Sequence, residues 1–261
     1  MADWTRMYKD LSEVYIKEFE SRWADGAIAA KYITTFLKSS YPNIQRLLDI
    51  PCGVGRLSIP LAMNGYNILG LDFIENFISY AKEKAKVAQL DNIQLGVNDM
   101  LSSSDSIKHF LPDAIINWWT SFGYHGEAYD EAFFRILSSS TKKGTILITE
   151  TWHRNYILNH PITRRWDLLD DLFVTIENHI DPLKKSVISE HIYYKKISDT
   201  LKELGRFKSE IMLYDSADII SLLDRSGWKT ISVYNSILTR EPFDPSKDRI
   251  TIISENYVSQ S

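Results

Sequence analysis

The chain has a single cysteine, no long apolar run and no excess of positive charge. Cys52 alone excludes an internal disulfide and a zinc site built from several thiolates, and we predict no metal site. Thirty Lys and Arg residues against 34 Asp and Glu give a net charge of −4, whereas proteins that grip nucleic acid through phosphates usually carry a basic excess. No apolar stretch approaches the roughly 18 to 20 residues of a membrane span, and residues 1–10 lack an apolar signal core. We therefore expect a cytoplasmic protein with no nucleic-acid or membrane partner.

What is present is an ordinary globular composition. Hydrophobic residues make up 44% of the 261 residues and charged residues 25%, which argues against extensive disorder. This length suits one large α/β domain or two small domains, and either can bury an apolar core.

Short apolar segments alternate with helix-like segments through the first 150 residues. Such alternation predicts βαβ units, a parallel sheet and helices on both of its faces. The predicted strands are 46–50, 67–72, 92–97, 113–119 and 145–149, and the predicted crossover helices are 56–64, 74–90 and 127–138.

Flanking regions have different patterns. Apolar residues at helical spacing, beginning with Trp4 and Met7, predict helices over residues 3 to about 38, with a break near Asp25-Gly26. Within residues 152–215, three extended stretches alternate in part without crossover helices between them, which predicts an antiparallel insertion with strands at 173–179, 187–197 and 206–214. A helix over 216–226, N-capped by Ser216, and strands at 228–234 and 249–257 follow. We predict one domain: a helical cap (1–40), a core (41–151 and 216–258) and the insertion (152–215).

The most informative segment runs from Leu48 to Arg56, Leu-Asp-Ile-Pro-Cys-Gly-Val-Gly-Arg, where a strand enters a Gly-x-Gly turn that opens a helix. Gly53 and Gly55 allow a close approach of ligand to backbone and tolerate positive φ. Open α/β sheets bind ligands at the carboxyl ends of their strands. A Gly-x-Gly turn alone is weak evidence, because such turns also occur for structural reasons.

Polar residues at three further strand ends strengthen the prediction. Asp72 lies 19 residues after Gly53, about where a nucleoside-binding α/β fold places an acid for the ribose hydroxyls. Asp99 is placed to accept from an adenine amine, with Phe73 and Met100 over the ring faces, and Asn117-Trp118 ends the fourth strand. Taken singly, Asp72 is equally explained as a helix cap and Asp99 as a solvated acid.

These motifs together resemble the class I S-adenosylmethionine-dependent methyltransferases. The resemblance spans roughly residues 42–151 and, in outline, the rest of the chain; Pro51 stands where that family usually has glycine. It implies an α/β fold with a Rossmann-like, doubly wound, mostly parallel seven-stranded sheet, N-terminal helices and the antiparallel insertion after strand 5. It also implies S-adenosylmethionine as cofactor and, from the arrangement of the N-terminal helices and the insertion, a small molecule as the methyl acceptor.

The resemblance also assigns roles to individual residues. Asp49, Gly53 and Gly55 are expected at the methionine moiety, with Pro51 in the same turn and Asn117 at the methionine end. Asp72 is expected at the ribose, and Asp99 and Met100 at the adenine. Aromatic residues suit an enclosure for the sulfonium, although core packing is the more ordinary explanation for any one of them: Tyr8, Tyr15, Trp118, Trp119, Phe122, Tyr124 and Trp152.

The predicted reaction is in-line methyl transfer to an N or O atom. A base is needed only if the acceptor must lose a proton, and His125, in a loop after the fourth strand, is the preferred candidate, ahead of His153 and His191. Tyr8 and Tyr15 are seven residues apart on one helical face, which either closes over the sulfonium or packs on the sheet. Tyr8 is the second catalytic candidate.

Three alternatives stay open at this point. A dinucleotide dehydrogenase would need glycines at Pro51 and Ser58. A non-catalytic adenosylmethionine-binding module would keep the pocket without turnover, and a protein or RNA methyltransferase would need an open groove. The sequence does not identify the acceptor or the oligomeric state.

Overall fold

A computed structural model describes residues 8–237 and 239–258. Its helices are α1 (Ser12–Ser21), α2 (Trp23–Ser40), α3 (Ser58–Met63), α4 (Glu75–Val87), α5 (Ser104–Phe110), α6 (Glu127–Ser140), α7 (Arg154–Asn159) and α8 (Ser216–Arg225). Its strands are β1 (Arg46–Asp49), β2 (Asn67–Asp72), β3 (Ile93–Val97), β4 (Ala114–Asn117), β5 (Ile146–Trp152), β6 (Arg164–Leu169), β7 (Leu172–Asp181), β8 (Ser186–Ile197), β9 (Thr200–Met212), β10 (Trp228–Ser236), β11 (Glu241–Pro242) and β12 (Arg249–Asn256).

The central sheet has the strand order β11-β10-β12-β5-β4-β1-β2-β3. Strands β1 to β5 pair in parallel, whereas β12 runs antiparallel to both β5 and β10. The predicted α/β fold is confirmed, with the two-residue β11 added at the edge of the seven predicted strands. The carboxyl ends of β4, β1, β2 and β3 are consecutive neighbours along one edge of the sheet.

The central strands β1, β2, β4, β5 and β12 are buried on both faces, as their nearly continuous apolar sequences predict, whereas β3, β10 and β11 are partly exposed. One apolar cluster joins the strands to α6 and α8 around Trp228, and a second joins them to α2 and α3 around Ile33 and Leu61. A third cluster packs the insertion against the N-terminal helices, with Tyr15, Phe77 and Tyr193 at its centre.

The antiparallel insertion is a separate four-stranded sheet in the order β6-β7-β8-β9. Three of its strands were predicted, whereas β6 and the short helix α7 were not identified because neither has a clean apolar period. The division of the chain into one domain stays a prediction.

Two predicted helix boundaries are wrong. The N-terminal helices break at Arg22 rather than at Asp25-Gly26, and Gly26 lies within α2. A Cβ on Gly26 would stand 2.1 Å from the carbonyl oxygen of Arg56, so this glycine permits close packing instead of ending a helix. The N-cap of α8 is Asp215, whose side chain accepts from the Asp218 N–H in a capping box, and not Ser216. Trp4 and Met7 lie outside the described residues.

Candidate active site

A cavity of about 170 Å³ lies at the carboxyl ends of the central strands. Asp72 from β2, Met100 after β3, and Trp118 after β4 line it, together with Pro51 and Arg56 of the turn after β1. Seven aromatic side chains form most of its wall: Tyr8, Phe19, Phe73, Phe77, Trp118, Trp119 and Tyr124. Four neighbouring strand ends therefore contribute residues to one cavity, as the sequence predicted.

Asp72 holds the turn after β1 against the end of β2. Its Oδ2 accepts from the Gly53 N–H at 2.9 Å, and its Oδ1 accepts from the Ile74 N–H at 2.9 Å. Burial raises the pKa of the Asp72 carboxyl to about 6, against the opposing effect of these hydrogen bonds. Since each ionised carboxylate oxygen has a second lone pair, Asp72 can still accept from a ligand.

Gly53 and Gly55 differ in what surrounds them. Gly53 has φ +55°, and the position of its missing Cβ is open space, so a ligand can approach the backbone there. Gly55 has φ +78°, but its Cβ would stand 3.1 Å from the Ala81 side chain. Gly55 therefore serves the packing of α3 and α4, and it does not line the cavity.

Asp49 lies beneath the turn rather than on the cavity wall. It is buried at the end of β1 and accepts a hydrogen bond from the Ser58 hydroxyl of α3. Burial raises the pKa of its carboxyl to about 7, and the nearby Asp72 charge adds to the rise.

Asp99 and Asn117 also lie outside the wall. Asp99 is exposed and accepts from the Leu101 N–H at 2.8 Å, so it caps the turn that presents Met100. Asn117 is fully buried and donates to the Ile50 carbonyl at 2.8 Å, which ties β4 to the end of β1.

Tyr8 and Tyr15 lie against each other with ring centroids 4.6 Å apart. Tyr8 lines the cavity, whereas Tyr15 is buried behind it against Tyr193 of the insertion. Burial raises the pKa of both phenols well above the ordinary value. Both therefore stay protonated near neutral pH, and Tyr8 is suited to donate a hydrogen bond rather than to act as a base.

His125 packs on Tyr129, with ring centroids 4.3 Å apart, next to the cavity and not on its wall. Burial lowers the pKa of its imidazole, and the charge of Asp99 opposes this change. The neutral form, which accepts a proton, is therefore favoured near pH 7.

Arg56 is the main site residue that the sequence reasoning did not single out. Its guanidinium lies 3.9 Å from the ring centre of Trp119, lines the cavity, and forms no ion pair with a carboxylate of the described residues. Burial lowers the pKa of Arg56 to about 10. The guanidinium donates to the Arg22 carbonyl at 3.4 Å, and its remaining N–H groups on the cavity side can bind an anionic group. Its place directly after Gly-Val-Gly was the available signal.

Trp119 and Thr120 adopt left-handed backbone conformations with φ +59° and +58°. Such conformations are costly for a β-branched residue and persist where the surroundings enforce them. Here the buried Glu150 carboxylate accepts from the Trp119 N–H at 3.3 Å and pairs with Arg249 at 2.7 Å. A more open cavity of about 400 Å³ lies beside them and shares the Trp118 and Trp119 walls.

Residues 44–213 match the family model described as a methyltransferase domain. The chain belongs to this family. The family predicted from the turn after β1 is thereby confirmed, and so is the prediction of an enzyme. No helix in the methyltransferase's described ranges, 8–237 and 239–258, is both long and apolar enough to span a membrane.

Curated relatives match the methyltransferase over short segments. It is 38% identical over 56 residues to the putative methyltransferase YqeM of Bacillus subtilis strain 168, which covers 22% of this chain and 23% of that protein. It is 37% identical over 59 residues to the 23S rRNA (uracil(1939)-C(5))-methyltransferase RlmD of Shewanella sediminis, which covers 23% of this chain and 13% of that protein. The alignments thus span less than a quarter of either relative.

Solved structures match it over nearly its whole length. An S-adenosylmethionine-dependent methyltransferase from Clostridium acetobutylicum has a TM-score of 0.71 at 18% identity, with 97% of both chains covered. The sugar N-methyltransferase KedS8 from Streptoalloteichus has a TM-score of 0.70 at 16% identity, with 95% of this chain and 93% of that chain covered. These similarities establish the fold.

Proposed function

We propose that this methyltransferase transfers a methyl group from S-adenosylmethionine to an N or O atom of a small molecule, and that the 170 Å³ cavity is part of the donor site. The observation that carries the proposal is the chemistry of its wall. Aromatic rings, a buried carboxylate and a guanidinium without an ion-pair partner among the described residues match the three parts of an adenosyl sulfonium amino acid.

The described residues fit this donor part by part. The Asp72 carboxylate would accept from the ribose hydroxyls, and Arg56 would hold the methionine carboxylate in a charge-assisted pair. Phe73 and Met100 would cover the adenine, while the aromatic rings of Trp118 and Tyr124 would attract the sulfonium cation. The open face of Gly53 leaves room for the donor above the turn.

The bound donor supplies a methyl carbon on a positively charged sulfur. Methyl transfer forms the bond from the acceptor to carbon while the sulfur–carbon bond breaks and its electron pair stays on sulfur. Holding the acceptor in line can supply about 7 to 11 kcal/mol of the barrier. Because the sulfonium loses its charge in the reaction, an aromatic enclosure that excludes water favours the transfer. His125 is the candidate to take up the acceptor's proton.

Three observations support a small acceptor. The insertion packs over the N-terminal helices that close the cavity, the chain carries a net charge of −4, and one structural neighbour is a sugar N-methyltransferase. The rRNA methyltransferase relative favours an RNA acceptor instead, through a 59-residue match.

Calorimetric titration with S-adenosylmethionine tests the donor site. We expect the wild type to bind and Asp72→Ala to bind at least ten-fold more weakly, because the ribose hydroxyls lose their acceptor. Asp113→Ala is the matched control: its carboxylate also accepts two backbone N–H groups, but at the opposite edge of the sheet. Unchanged affinity in Asp72→Ala would contradict the proposal.

Incubation with methyl-labelled S-adenosylmethionine then tests the acceptor. Label in a low-molecular-weight product from a metabolite extract supports the proposal, whereas label in added ribosomal RNA or protein would replace it with a macromolecular function. Donor binding without transfer to any of the three would indicate a non-catalytic binding module.

A further inference from the structure

The loop of residues 121–126 connects β4 to α6 and carries two residues of the candidate site. Tyr124 lines the cavity and His125 lies beside it. The loop is held at Gly123 from both sides. The Gly123 N–H donates to Oδ1 of Asp130 at 3.1 Å, and its carbonyl accepts from the Met212 N–H of the insertion at 2.8 Å.

Gly123 has no room for a side chain at this point. Its φ is +95°, and a Cβ would stand 2.6 Å from the Met212 carbonyl oxygen. The close approach of loop and insertion therefore requires both a glycine and a fixed partner for its N–H group.

That partner is Asp130, an aspartate in α6 that is only 2% exposed. Its second oxygen, Oδ2, accepts from the Tyr214 hydroxyl at 2.6 Å, and Tyr214 lies between β9 and α8. The ring of Phe122, a residue of the loop, packs on the ring of Tyr214 with centroids 5.6 Å apart. Two donors thus meet the two oxygens of one carboxylate inside the core.

An ionised carboxylate accepts from both donors, whereas an asparagine has one acceptor and turns its amide N–H groups toward the other donor. Asp130 pairs with no cationic side chain of residues 8–237 and 239–258, and a buried carboxylate without such a partner is costly, so its two accepted hydrogen bonds give it a role that an amide would not fill. We infer that Asp130 is a positioning residue for the candidate active site: through Gly123 and Tyr214 it fixes loop 121–126, and with it Tyr124, between the central sheet and the insertion. The inference rests on the proposed function of the cavity that Tyr124 lines.

Hydrogen exchange measured by mass spectrometry on the whole chain tests the role without any ligand. We expect amides of residues 121–126 to exchange at least ten-fold faster in Asp130→Asn and in Tyr214→Phe, with β4 and β5 unchanged. Asp113→Asn, the corresponding carboxylate at the opposite edge of the sheet, should leave the loop as in wild type. Unchanged exchange in the loop, or equal acceleration across the sheet, would overturn the inference.

A pH series provides a readout that a purely structural role would not move. Burial raises the pKa of Asp130 to about 6, opposed by the hydrogen bonds from Tyr214 and Gly123; Glu127, on the same helix, raises it further. Because the His125 imidazole lies in the same loop and also titrates below pH 7, the series compares His125→Phe with the double variant His125→Phe/Asp130→Asn. After correction for intrinsic rates, protection of the loop should fall between pH 7 and pH 5 in His125→Phe and should show no such fall in the double variant. A pH dependence that persists in the double variant would contradict the role of this carboxylate.

Calorimetry with S-adenosylhomocysteine connects the loop to the cavity. We expect Asp130→Asn and Tyr214→Phe to weaken its binding three- to ten-fold, and Asp113→Asn to leave it unchanged. Wild-type affinity in both loop variants would contradict the role at the site. If the wild type itself bound no S-adenosylhomocysteine, the proposed function would fail, while the exchange data would still decide whether Asp130 fixes the loop.

Discussion

The Gly53 N–H and the Asp72 carboxylate form a 2.9 Å hydrogen bond that joins the turn after β1 to the end of β2. The acid expected at a ligand's ribose thus also holds the loop expected at its methionine moiety. Substitution of Asp72 is therefore expected to affect both parts of the site.

Arg56→Met should weaken S-adenosylmethionine and S-adenosylhomocysteine about 10- to 100-fold, because the guanidinium forms no ion pair with the described residues and is free to pair with the ligand's carboxylate. Methylthioadenosine, which lacks the amino acid carboxylate, should bind the variant as it binds wild type. Calorimetry with the three ligands checks this. Equal losses for all three would mean that Arg56 shapes the cavity rather than pairing with a carboxylate.

Asp49→Asn should stabilise the protein without ligand at pH 8, and should stabilise it less at pH 5. The pKa of Asp49 is about 7 in the folded chain and 3.8 by reference, so the folded state holds a proton that the unfolded state releases. Wild-type stability is therefore lost as pH rises from about 4 through 7, by about 2–4 kcal/mol. Asparagine keeps an acceptor for the Ser58 hydroxyl and does not titrate, so this contribution to the pH dependence of stability is lost.

Urea titrations of wild type and Asp49→Asn from pH 5 to 8 measure the effect. Asp113→Asn, at the far edge of the sheet, is the control. A difference between Asp49→Asn and wild type that does not grow with pH would show that burial does not raise this pKa.

Gly26→Ala should destabilise the chain by at least about 2 kcal/mol, although alanine is the better helix former by about 1 kcal/mol. The added Cβ would stand 2.1 Å from the Arg56 carbonyl oxygen and would force α2 away from the site turn. Ala27→Gly, at the exposed next position, should cost only the propensity difference. Thermal unfolding of both variants tests this prediction. A Gly26→Ala variant that is more stable than wild type would contradict the close packing of α2 on the turn.

His191→Phe should remove an acid sensitivity of the insertion. His191 stacks on Phe207 with centroids 4.5 Å apart, and burial lowers the pKa of its imidazole to about 4. Between pH 6.5 and 4 the unfolded chain takes up a proton that the folded chain does not, so stability falls as pH falls, by about 2–3 kcal/mol.

The difference in unfolding free energy between His191→Phe and wild type should therefore grow from pH 7 to pH 4. His179→Phe, an exposed histidine on β7 of the same sheet, is the control. Parallel pH profiles for His191→Phe and wild type would contradict the prediction.

The alternation of strands and helices predicted the central sheet because the spacing of apolar residues in each segment indicates which of its faces is buried. The strand-end residues Asp72, Met100 and Trp118 were predictable because parallel strands end at one edge, which places their tips together. Helix ends were less predictable: Gly26 has the sequence signature of a break, and only its contact with Arg56 shows why a glycine stands there.

The sequence by itself determined the fold class, the family and the edge of the sheet where the site lies, because hydrophobic period and glycine spacing are local properties. Only the tertiary structure decided which side chains face the cavity. Arg56 lies on the cavity wall, whereas Asp49 and Asn117 are buried and hydrogen-bond to residues behind it. The Asp130 carboxylate accepts a hydrogen bond from the Gly123 N–H. Those contacts join residues distant in sequence, and burial and hydrogen-bond partners arise only when the layers pack.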